Sequence, residues 1–423
     1  MKKQKILMIS DHLLTHSGVA IQSKYLVDGL IKTGKYQIIQ LGAAVNHKSY
    51  DPIKLNEDLI VIPIDGFGNK KIIRSLLVSE KPDALLIFTD PRFFNYLFEM
   101  EDEIHQVCPI LYWHVWDNKP YPKFNNHVYD SVDSLNCISY LTYNLLKSNH
   151  QHKTTYIPHS FPDSVYYPLD ENSIKEYKNQ VLGKEKLNDF TVLWANRNTR
   201  RKRPADLLKA WQIFLFNLKD RHNKSNATLI IHTNPEDSAG QNLYEVAKSL
   251  NIQDSVRFST DIIGDDEINI LHNISDCSIN ISFAEGFGLS TLISLYTAKP
   301  IIVTETGGLT RQVINPETLE KYGIGLKPDM TTISGNQEIH YLNEDYVKVE
   351  KVSKAILQMY EISEDDRKSL GKKCREYALS DFSYENMISS WDKSLQNTIK
   401  NWKESYKRIN IVNIKELVWK EYY

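Results

Sequence analysis

One segment constrains the fold more than any other part of the chain: Ile279–Gln312, INISFAEGFGLSTLISLYTAKPIIVTETGGLTRQ. It reads as an apolar strand, an acidic turn with two glycines, a helix, a second strand and a Gly-Gly turn. A helix between two apolar strands favours a parallel arrangement of those strands in one sheet. The segment therefore predicts a strand–helix–strand unit of an α/β protein.

The same alternation of strand and helix runs through both halves of the chain. Several apolar runs are continuous, as in strands that helices cover on both faces. Between them, apolar residues recur at helical spacing, for example at Leu207, Trp211 and Phe214. The predicted strands are Ile6–Ser10, Gln37–Gly42, Ala84–Phe88, Ile110–Val115, Leu135–Ser139, Thr191–Ala195, Thr228–His232, Val256–Phe258, Cys277–Phe283 and Pro300–Thr304. We therefore predict an α/β fold with doubly wound parallel sheets.

The length of the chain predicts two domains, because 423 residues exceed what one ordinary hydrophobic core organises. A polar stretch broken by prolines, about residues 160–189, is interpreted as the crossing between them. We predict a first Rossmann-like domain over residues 1–165 and a second over 166–384. The C-terminal helices, about residues 385–423, are expected to return to the first domain.

Composition excludes several classes of protein. A formal net charge of −2 argues against a chain held globally on nucleic acid or an anionic membrane. No apolar run is long enough for a secretory signal or a membrane span. The four cysteines are scattered without C-x-x-C pairs, so we expect reduced, mostly buried thiols and a cytoplasmic protein.

The acidic glycine turn predicts an anion site at a helix start. The first N–H groups of a helix lack partners, and the helix dipole adds partial positive charge. Glu285 beside a bound phosphate is not its ligand, but it suits a hydroxyl-rich group attached to that phosphate, such as a sugar on a nucleotide diphosphate. A capping carboxylate is the alternative interpretation. The residues assigned to the donor here are Glu285, Gly286, Phe287, Gly288, Leu289 and Ser290, with Thr306 and Gly307 as candidate further contacts.

Two other loops at strand ends supply candidate ligands. Arg197 and Lys202 can together neutralise a diphosphate, the arginine through two parallel hydrogen bonds and the lysine as a point charge. Gly18 lets backbone come near a phosphate or a sugar, or simply permits a tight turn. For the loop that carries Arg197 and Lys202, the alternative is a basic loop that is only solvated. Three further arginines there either attract an anionic acceptor or are only solvated: Arg200, Arg201 and Arg203.

A strand end in the first half contributes His114 and Asp117. A single histidine is usually structural, and only its strand-end position makes His114 a candidate. Asp117 is a candidate on the acceptor side of the same site.

These residues together resemble the retaining glycosyltransferases of family 4, which have the two-domain GT-B architecture. The resemblance covers most of the chain, and its most specific parts are EGFGLSTLI and KPIIVTETGG. Arg197 and Lys202 match the family's diphosphate ligands, and Gly18 matches its glycine-bearing first loop. His114 matches a first-domain histidine near the donor sugar.

The sequence departs from the family pattern at two positions. Ile293 stands where the family usually has a ribose-binding glutamate, and Ser290 stands where it has proline. Glycogen and starch synthases, which are similar locally, also replace that glutamate and carry a TGGL turn like the one at Thr306. No D-x-D occurs in the chain, which disfavours a metal-dependent GT-A enzyme.

The resemblance implies transfer of a hexosyl unit from a nucleotide diphosphate sugar to an acceptor hydroxyl, with retention at the anomeric carbon. A UDP- or GDP-sugar is the favoured donor, with no metal and no further cofactor. Arg197, Lys202 and the helix-start amides would stabilise the leaving diphosphate. Glu285 would orient the sugar, or act as nucleophile, and His114 would lie against the sugar.

Other functions remain open from the sequence. The same fold also serves nucleotide-sugar epimerases and phosphorylases, and a catalytically silent partner subunit is an alternative of another class. The acceptor is a saccharide, a lipid-linked sugar, a metabolite or a modified nucleobase, with no strong nucleic-acid signal. The aromatic and basic tail, Asn401–Tyr423, predicts a packed terminal helix or a partner or peripheral membrane contact at the inner face.

Overall fold

The computed structural model describes residues 2–44 and 47–406. Within them the chain forms two compact units, each described by itself below. The first unit comprises the chain up to Trp113, Asn125–Leu135 and the chain from Trp391. The second unit comprises His114–Phe124 and Asn136–Ser390. Both contain parallel sheet and helices, so the predicted α/β fold of doubly wound parallel sheets is confirmed.

The strands of the described residues fall into two large sheets and one hairpin. In chain order they are β1 (Gln4–Asp11), β2 (Tyr36–Ala43), β3 (Ile53–Asn56), β4 (Leu59–Pro63), β5 (Ala84–Phe88), β6 (Ile110–His114), β7 (Ser134–Cys137), β8 (Thr154–Tyr156), β9 (Phe190–Ala195), β10 (Ala227–His232), β11 (Val256–Ser259), β12 (Cys277–Asn280), β13 (Ile301–Thr304), β14 (Gly323–Leu326), β15 (Met330–Ser334) and β16 (Leu342–Tyr346). Their spatial order is β3-β4-β2-β1-β5-β6-β7-β8 in the first sheet and β11-β10-β9-β12-β13-β14 in the second, with β15-β16 as the hairpin.

The helices follow the strands in a regular βα succession over most of the described chain. In chain order they are α1 (Gly18–Lys32), α2 (Lys70–Glu80), α3 (Asn95–Phe98), α4 (Glu101–His105), α5 (Asn126–Ser131), α6 (Tyr140–His150), α7 (Glu171–Leu182), α8 (Pro204–His222), α9 (Leu243–Ser249), α10 (Asp265–Asn273), α11 (Leu289–Tyr296), α12 (Leu309–Val313), α13 (Val349–Glu361), α14 (Glu364–Asp381) and α15 (Tyr384–Ser405).

The second sheet shows why its strands are continuously apolar. Helix α8 buries Leu207, Trp211 and Phe214 in one core with residues of β9, β10 and β12, as their helical spacing predicts. All the pairings of β9 to β14 are parallel. Strand order reverses between β9 and β12, since β10 and β11 lie on one side and β13 and β14 on the other. Ligands of open α/β sheets bind outside the carboxyl ends of strands at such a switch point.

Six strands were not anticipated from the sequence: β3, β4, β8, β14, β15 and β16. Most of them lack a run of apolar residues, because they lie at sheet edges or in the exposed hairpin. Strand β3 is exposed along its whole length, and β15 is exposed except at Ser334. After β14 the regular alternation of strand and helix stops, and the antiparallel hairpin of β15 and β16 follows.

The C-terminal helices occupy two different surroundings. Helix α13 packs in the core of the second unit through Val352, Ile356 and Met359. Within the first unit, the ring of Trp391 lies 5.0 Å from that of Trp113. Residues 407–423 lie outside the described residues, so the predicted contact by the tail stays a prediction. The domain boundary at residue 165 also stays a prediction, although residues 136–165 belong to the second compact unit.

Candidate active site

The loop after β9 places a lysine by folding around a buried arginine. Residues Arg200–Lys202 form a single 3-10 turn, and Arg203 follows with φ 57° before α8 begins at Pro204. The Arg203 guanidinium is buried and donates to the carbonyls of Val347 (2.8 Å) and Ile281 (3.4 Å). Arg203 is therefore a structural residue whose anchoring fixes the direction of the turn before it.

The turn directs Lys202 to Glu285, which follows β12 on the other side of the switch point. Their side chains form an ion pair and are only 12% and 10% exposed. Arg201 Nη1 lies 3.7 Å from Glu285 Oε1 and 3.3 Å from Asp117 Oδ2. The Arg201 carbonyl accepts the Phe283 N–H at 2.9 Å, which ties the two loops together by backbone. The result is a buried carboxylate facing two cations.

The environment of Glu285 fixes its charge. Burial would raise its pKa, but the charges of Lys202 and Arg201 outweigh burial and lower the pKa to about 2. Asn280 Nδ2 also donates to Oε2, at 3.4 Å, and this favours the anion. Glu285 is therefore ionised at neutral pH.

This lowered pKa predicts a specific loss of stability in acid. A carboxyl group whose folded pKa lies below its unfolded value contributes stability above the unfolded pKa, here about 4.5. That contribution, about 3 kcal/mol by proton linkage, is lost as the pH falls toward 2. We expect the free energy of unfolding to fall more steeply between pH 5 and 3 in the wild type than in Glu285→Gln. Urea denaturation at several pH values measures this, and parallel curves would contradict it.

The glycine turn after Glu285 leads into a helix without a side-chain cap. Gly288 adopts φ 95° and precedes α11, whose first N–H groups have no side-chain partner. Gln312 holds this turn, since its Nε2 donates to the carbonyls of Phe287 (2.9 Å) and Gly288 (3.0 Å). Helix α12 thus fixes the start of α11 through Gln312, and the first N–H groups of α11 remain available for an anion.

The second glycine turn packs directly beneath the first. A Cβ at Gly307 would lie 2.0 Å from the Glu285 carbonyl and 2.4 Å from that of Asp117, so only glycine fits. The Gly308 N–H donates to the Glu285 carbonyl at 2.9 Å. Gly286 in turn approaches Asp117, whose Oδ1 would lie 2.8 Å from an added Cβ. Three loops therefore meet at Glu285, including the one that carries Asp117.

The structure separates Arg197 from this cluster. Arg197 pairs with Asp237 at 2.7 Å, and its side chain is 69% exposed. Arg200 pairs with Glu344 of the hairpin and is 62% exposed. Of the two predicted diphosphate cations, only Lys202 lies against Glu285, and Arg201 provides the second positive charge there. The assignment of Arg197 stays a prediction that requires its side chain to leave Asp237.

His114 and His159 are two of the buried histidines in the second unit. Burial lowers the pKa of His114, which is 1% exposed at the end of β6, to about 3. Burial also lowers the pKa of His159 to about 3, and its ring packs 5.0 Å from that of Phe287. Both imidazoles are therefore neutral at physiological pH. The catalytic role predicted for His114 stays a prediction.

Gly18 and Ile293 complete the predicted set. Gly18 is exposed at the start of α1 in the first unit, where the Ser17 hydroxyl caps the helix by accepting from Ala20 N–H at 3.0 Å. Its donor contact stays a prediction. Ile293 is 7% exposed on α11, so ribose recognition needs other groups. Ser290 lies half-buried in the first turn of that helix.

Several residues of the cluster were missed or misjudged from sequence. The sequence assigns Arg201 only surplus charge, because the other arginines of the basic loop are chemically alike. It places Asn280 and Ser282 in a predicted strand, although polar residues at alternate positions of an apolar run are a usable signal of a site. Asn118 was also missed, and its Nδ2 donates to Thr306 Oγ1 (3.0 Å) and Asp345 Oδ2 (2.7 Å).

The described residues also show what the chain offers for metal binding, membrane insertion and thiol chemistry. No group of three or more His, Cys, Asp or Glu in residues 2–44 and 47–406 is arranged to hold a metal ion. In the same part of the chain, none of the helices has both the length and the apolarity to cross a bilayer. All four cysteines are free and buried, as predicted.

A protein-family model matches part of the chain. Residues 175–328 match the model of glycosyl transferases group 1. This range includes both the basic loop with Lys202 and the acidic turn with Glu285. No curated protein matches the chain in sequence.

Solved structures match over nearly the whole chain. Anabaena HepE in complex with UDP and glucose aligns over 93% of this chain and 100% of that chain, with 14% identity and a TM-score of 0.68. A sucrose-phosphate synthase from Thermosynechococcus elongatus aligns over 94% and 100%, with 15% identity and a TM-score of 0.74. A glycosyltransferase from Rickettsia africae aligns over 95% and 100%, with 17% identity and a TM-score of 0.70.

These similarities confirm the predicted fold. For the activity, they reach only as far as the general class of glycosyl transfer. At such low identity the structural matches establish the fold, which is that of the GT-B glycosyltransferases. The family model adds the activity class for the part of the chain that it covers. Residues 175–328 thus match a glycosyltransferase domain that includes the Lys202–Glu285 pair.

Proposed function

We propose that the protein is a retaining hexosyltransferase that moves a sugar from a nucleotide diphosphate sugar to an acceptor hydroxyl. One observation carries the proposal: the buried Glu285 carboxylate lies between Lys202 and Arg201 at a switch point of the sheet, beside an uncapped helix start. The family match over the same residues supports this reading.

The two parts of the cluster suit the two parts of such a donor. The Lys202 ammonium, the Arg201 guanidinium and the N–H groups at the start of α11 would stabilise negative charge on the leaving diphosphate. Preorganised donors of this kind are usually the largest catalytic contribution, about 3–4 kcal/mol for one group. Arg197 would join them by exchanging Asp237 for the diphosphate, which its exposed side chain permits.

Glu285 would hold hydroxyl groups of the sugar. Its carboxylate is ionised and so accepts hydrogen bonds, while its repulsion of phosphate is offset by the two cations beside it. We favour this orienting role over a nucleophilic one, because the pairing of Oε2 with Lys202 withdraws electron density from that oxygen. Retention would then follow from front-face attack by the acceptor, with the leaving phosphate oxygen taking its proton.

The remaining assignments extend the proposal. The structures of HepE with UDP and glucose and with UDP-glucose support a UDP-sugar as the first donor to test, with a GDP-sugar second. We propose that the reaction needs no metal ion, because Lys202, Arg201 and Arg197 would neutralise the negative charge of the diphosphate. We place the enzyme in the cytoplasm, where four free thiols such as these stay reduced.

A donor panel tests the function directly. We expect one nucleotide diphosphate sugar to raise the melting temperature, since a ligand at 100 times its Kd adds about 2.7 kcal/mol of stability. The same donor should be hydrolysed slowly by the purified chain and faster with an acceptor. Free inorganic phosphate and NAD are the controls. Epimerised donor without transfer, or stabilisation by no nucleotide sugar, would overturn the proposal.

A further inference from the structure

A cavity of about 860 Å³ opens in the second unit beside the glycine turn at Thr306–Gly307. Thr306 and Gly307 form part of its wall, and Gly307 packs against the Glu285 carbonyl. The volume lies in the upper part of the range for small-molecule sites, roughly 300–1,000 Å³. The cavity therefore adjoins the turn that packs against the Glu285 backbone, and it is larger than one sugar ring needs.

One group of lining residues is polar and fixed in place. Asn118 Nδ2 donates to Thr306 Oγ1 and Asp345 Oδ2, and Thr306 Oγ1 also donates to Asp345 Oδ2 at 2.8 Å. The hairpin holds this group, because the Asn343 N–H donates to the Lys119 carbonyl at 2.7 Å and Thr331 donates to Asp345 at 2.7 Å. The donors of Asn118 and Thr306 are engaged in these bonds, so what this group offers to a saccharide hydroxyl is the remaining acceptor capacity of the fixed Asp345 carboxylate.

A second group of lining residues is aliphatic. Leu141 and Leu145 lie one turn apart on α6 and are half-buried. Ile314, Pro316 and Pro328 contribute further apolar surface from the segments after α12 and β14. A purely hydrophilic acceptor would leave this surface in contact with water, at a cost proportional to its area.

The charges that line the cavity are balanced. Lys119 and Arg311 are matched by Glu305 and Asp345. Arg311 is already engaged, since Asp381 accepts two hydrogen bonds from it at 2.8 and 2.9 Å and its guanidinium lies over the Tyr140 ring. The cavity therefore lacks the set of free cations that would select a phosphorylated acceptor.

We infer that this cavity binds the acceptor, and that the acceptor is an uncharged amphipathic glycoside. Its saccharide head lies at Asp345, beside the Thr306–Gly307 turn that packs against the Glu285 backbone, and its apolar tail lies along Leu141 and Leu145. This inference rests on the proposed function.

A series of alkyl glycosides tests the inference. Methyl, butyl and hexyl glucosides and mannosides are titrated into the full chain by calorimetry, below the concentration at which they form micelles. Wild-type affinity for one head group should rise by about fourfold for each methylene that enters an apolar site. Two variants should abolish that rise: Leu145→Gln, which makes the aliphatic wall polar, and Asn144→Trp, which fills the cavity from an exposed position on α6.

Controls separate this inference from the proposed function. Asn149→Trp places the same bulk on α6 at an exposed position outside the cavity and should bind as the wild type does. All variants should keep the wild-type Kd for the donor nucleotide. Three results would overturn the inference. The wild type could bind methyl and hexyl glycosides equally well, or it could bind no glycoside at all. Leu145→Gln and Asn144→Trp could also show the same increase of affinity with chain length as the wild type. If the wild type binds no nucleotide sugar, the proposed function fails instead.

Discussion

Glu285→Gln is expected to lower sugar transfer by about 10²- to 10³-fold while nucleotide diphosphate binding stays the same or tightens. Glutamine keeps the shape of the side chain but replaces one of the two acceptor oxygens by an NH2 donor and removes the charge that strengthens hydrogen bonds from sugar hydroxyls. It also removes a negative charge next to the diphosphate, so the affinity for free nucleotide should not fall. Steady-state kinetics with the donor found in the panel, together with calorimetry using the free nucleotide diphosphate, measure the two effects separately.

A matched carboxylate-to-amide change provides the control. Glu317 is exposed after α12, and Glu317→Gln should retain wild-type turnover. The expected signature of Glu285→Gln is a loss in kcat with an unchanged Kd for the free nucleotide. Equal losses of transfer and nucleotide binding would show that Glu285 supports the site as a whole rather than the sugar.

Lys202→Met is expected to remove almost all turnover, by about 10³-fold, and to destabilise the fold. Methionine keeps the length and apolar stem of lysine but cannot offset charge on the leaving diphosphate. It also leaves Glu285 buried with Arg201 as its remaining cation, at 3.7 Å. Removing one partner of a buried ion pair typically costs about 3–5 kcal/mol. Turnover assays and urea denaturation measure both losses.

The double variant Lys202→Met, Glu285→Gln separates stability from catalysis. It removes both charges, so the free energy of unfolding should recover most of what Lys202→Met loses, while turnover stays low. Lys209→Met, at an exposed position on α8, is the control for the substitution itself. A folded Lys202→Met protein with wild-type turnover would refute the diphosphate site.

Local sequence patterns were sufficient for most of the fold. Continuous apolar runs predicted β5 with its observed bounds and β9, β10 and β13 within one residue at each end, because a strand buried on both faces must be apolar throughout. The spacing of Leu207, Trp211 and Phe214 predicted the buried face of α8, because a helix covered on one side needs apolar residues every three to four positions. The hairpin of β15 and β16 was not predicted, since its exposed residues carry no such pattern.

The site was predictable only in part. Gly286, Gly288 and Gly307 could be recognised from sequence, because a glycine after a strand indicates close approach of backbone. The choice among the cations of the basic loop could not be made, because Arg197, Arg200 and Arg201 are chemically alike and only a few positions apart. Their partners come from distant parts of the chain: Asp237, Glu344, and Asp117 with Glu285.

The sequence alone determined ten of the sixteen strands of the described residues and the glycine turns between strand and helix, since apolar runs and backbone freedom are properties of short segments. The tertiary structure alone decided which of these charges share a buried environment. Arg203 turns the basic loop around buried carbonyls, and this directs Lys202 and Arg201 onto Glu285 while Arg197 stays in solvent. Coulomb attraction depends on distance and burial, and neither can be read from spacing along the chain.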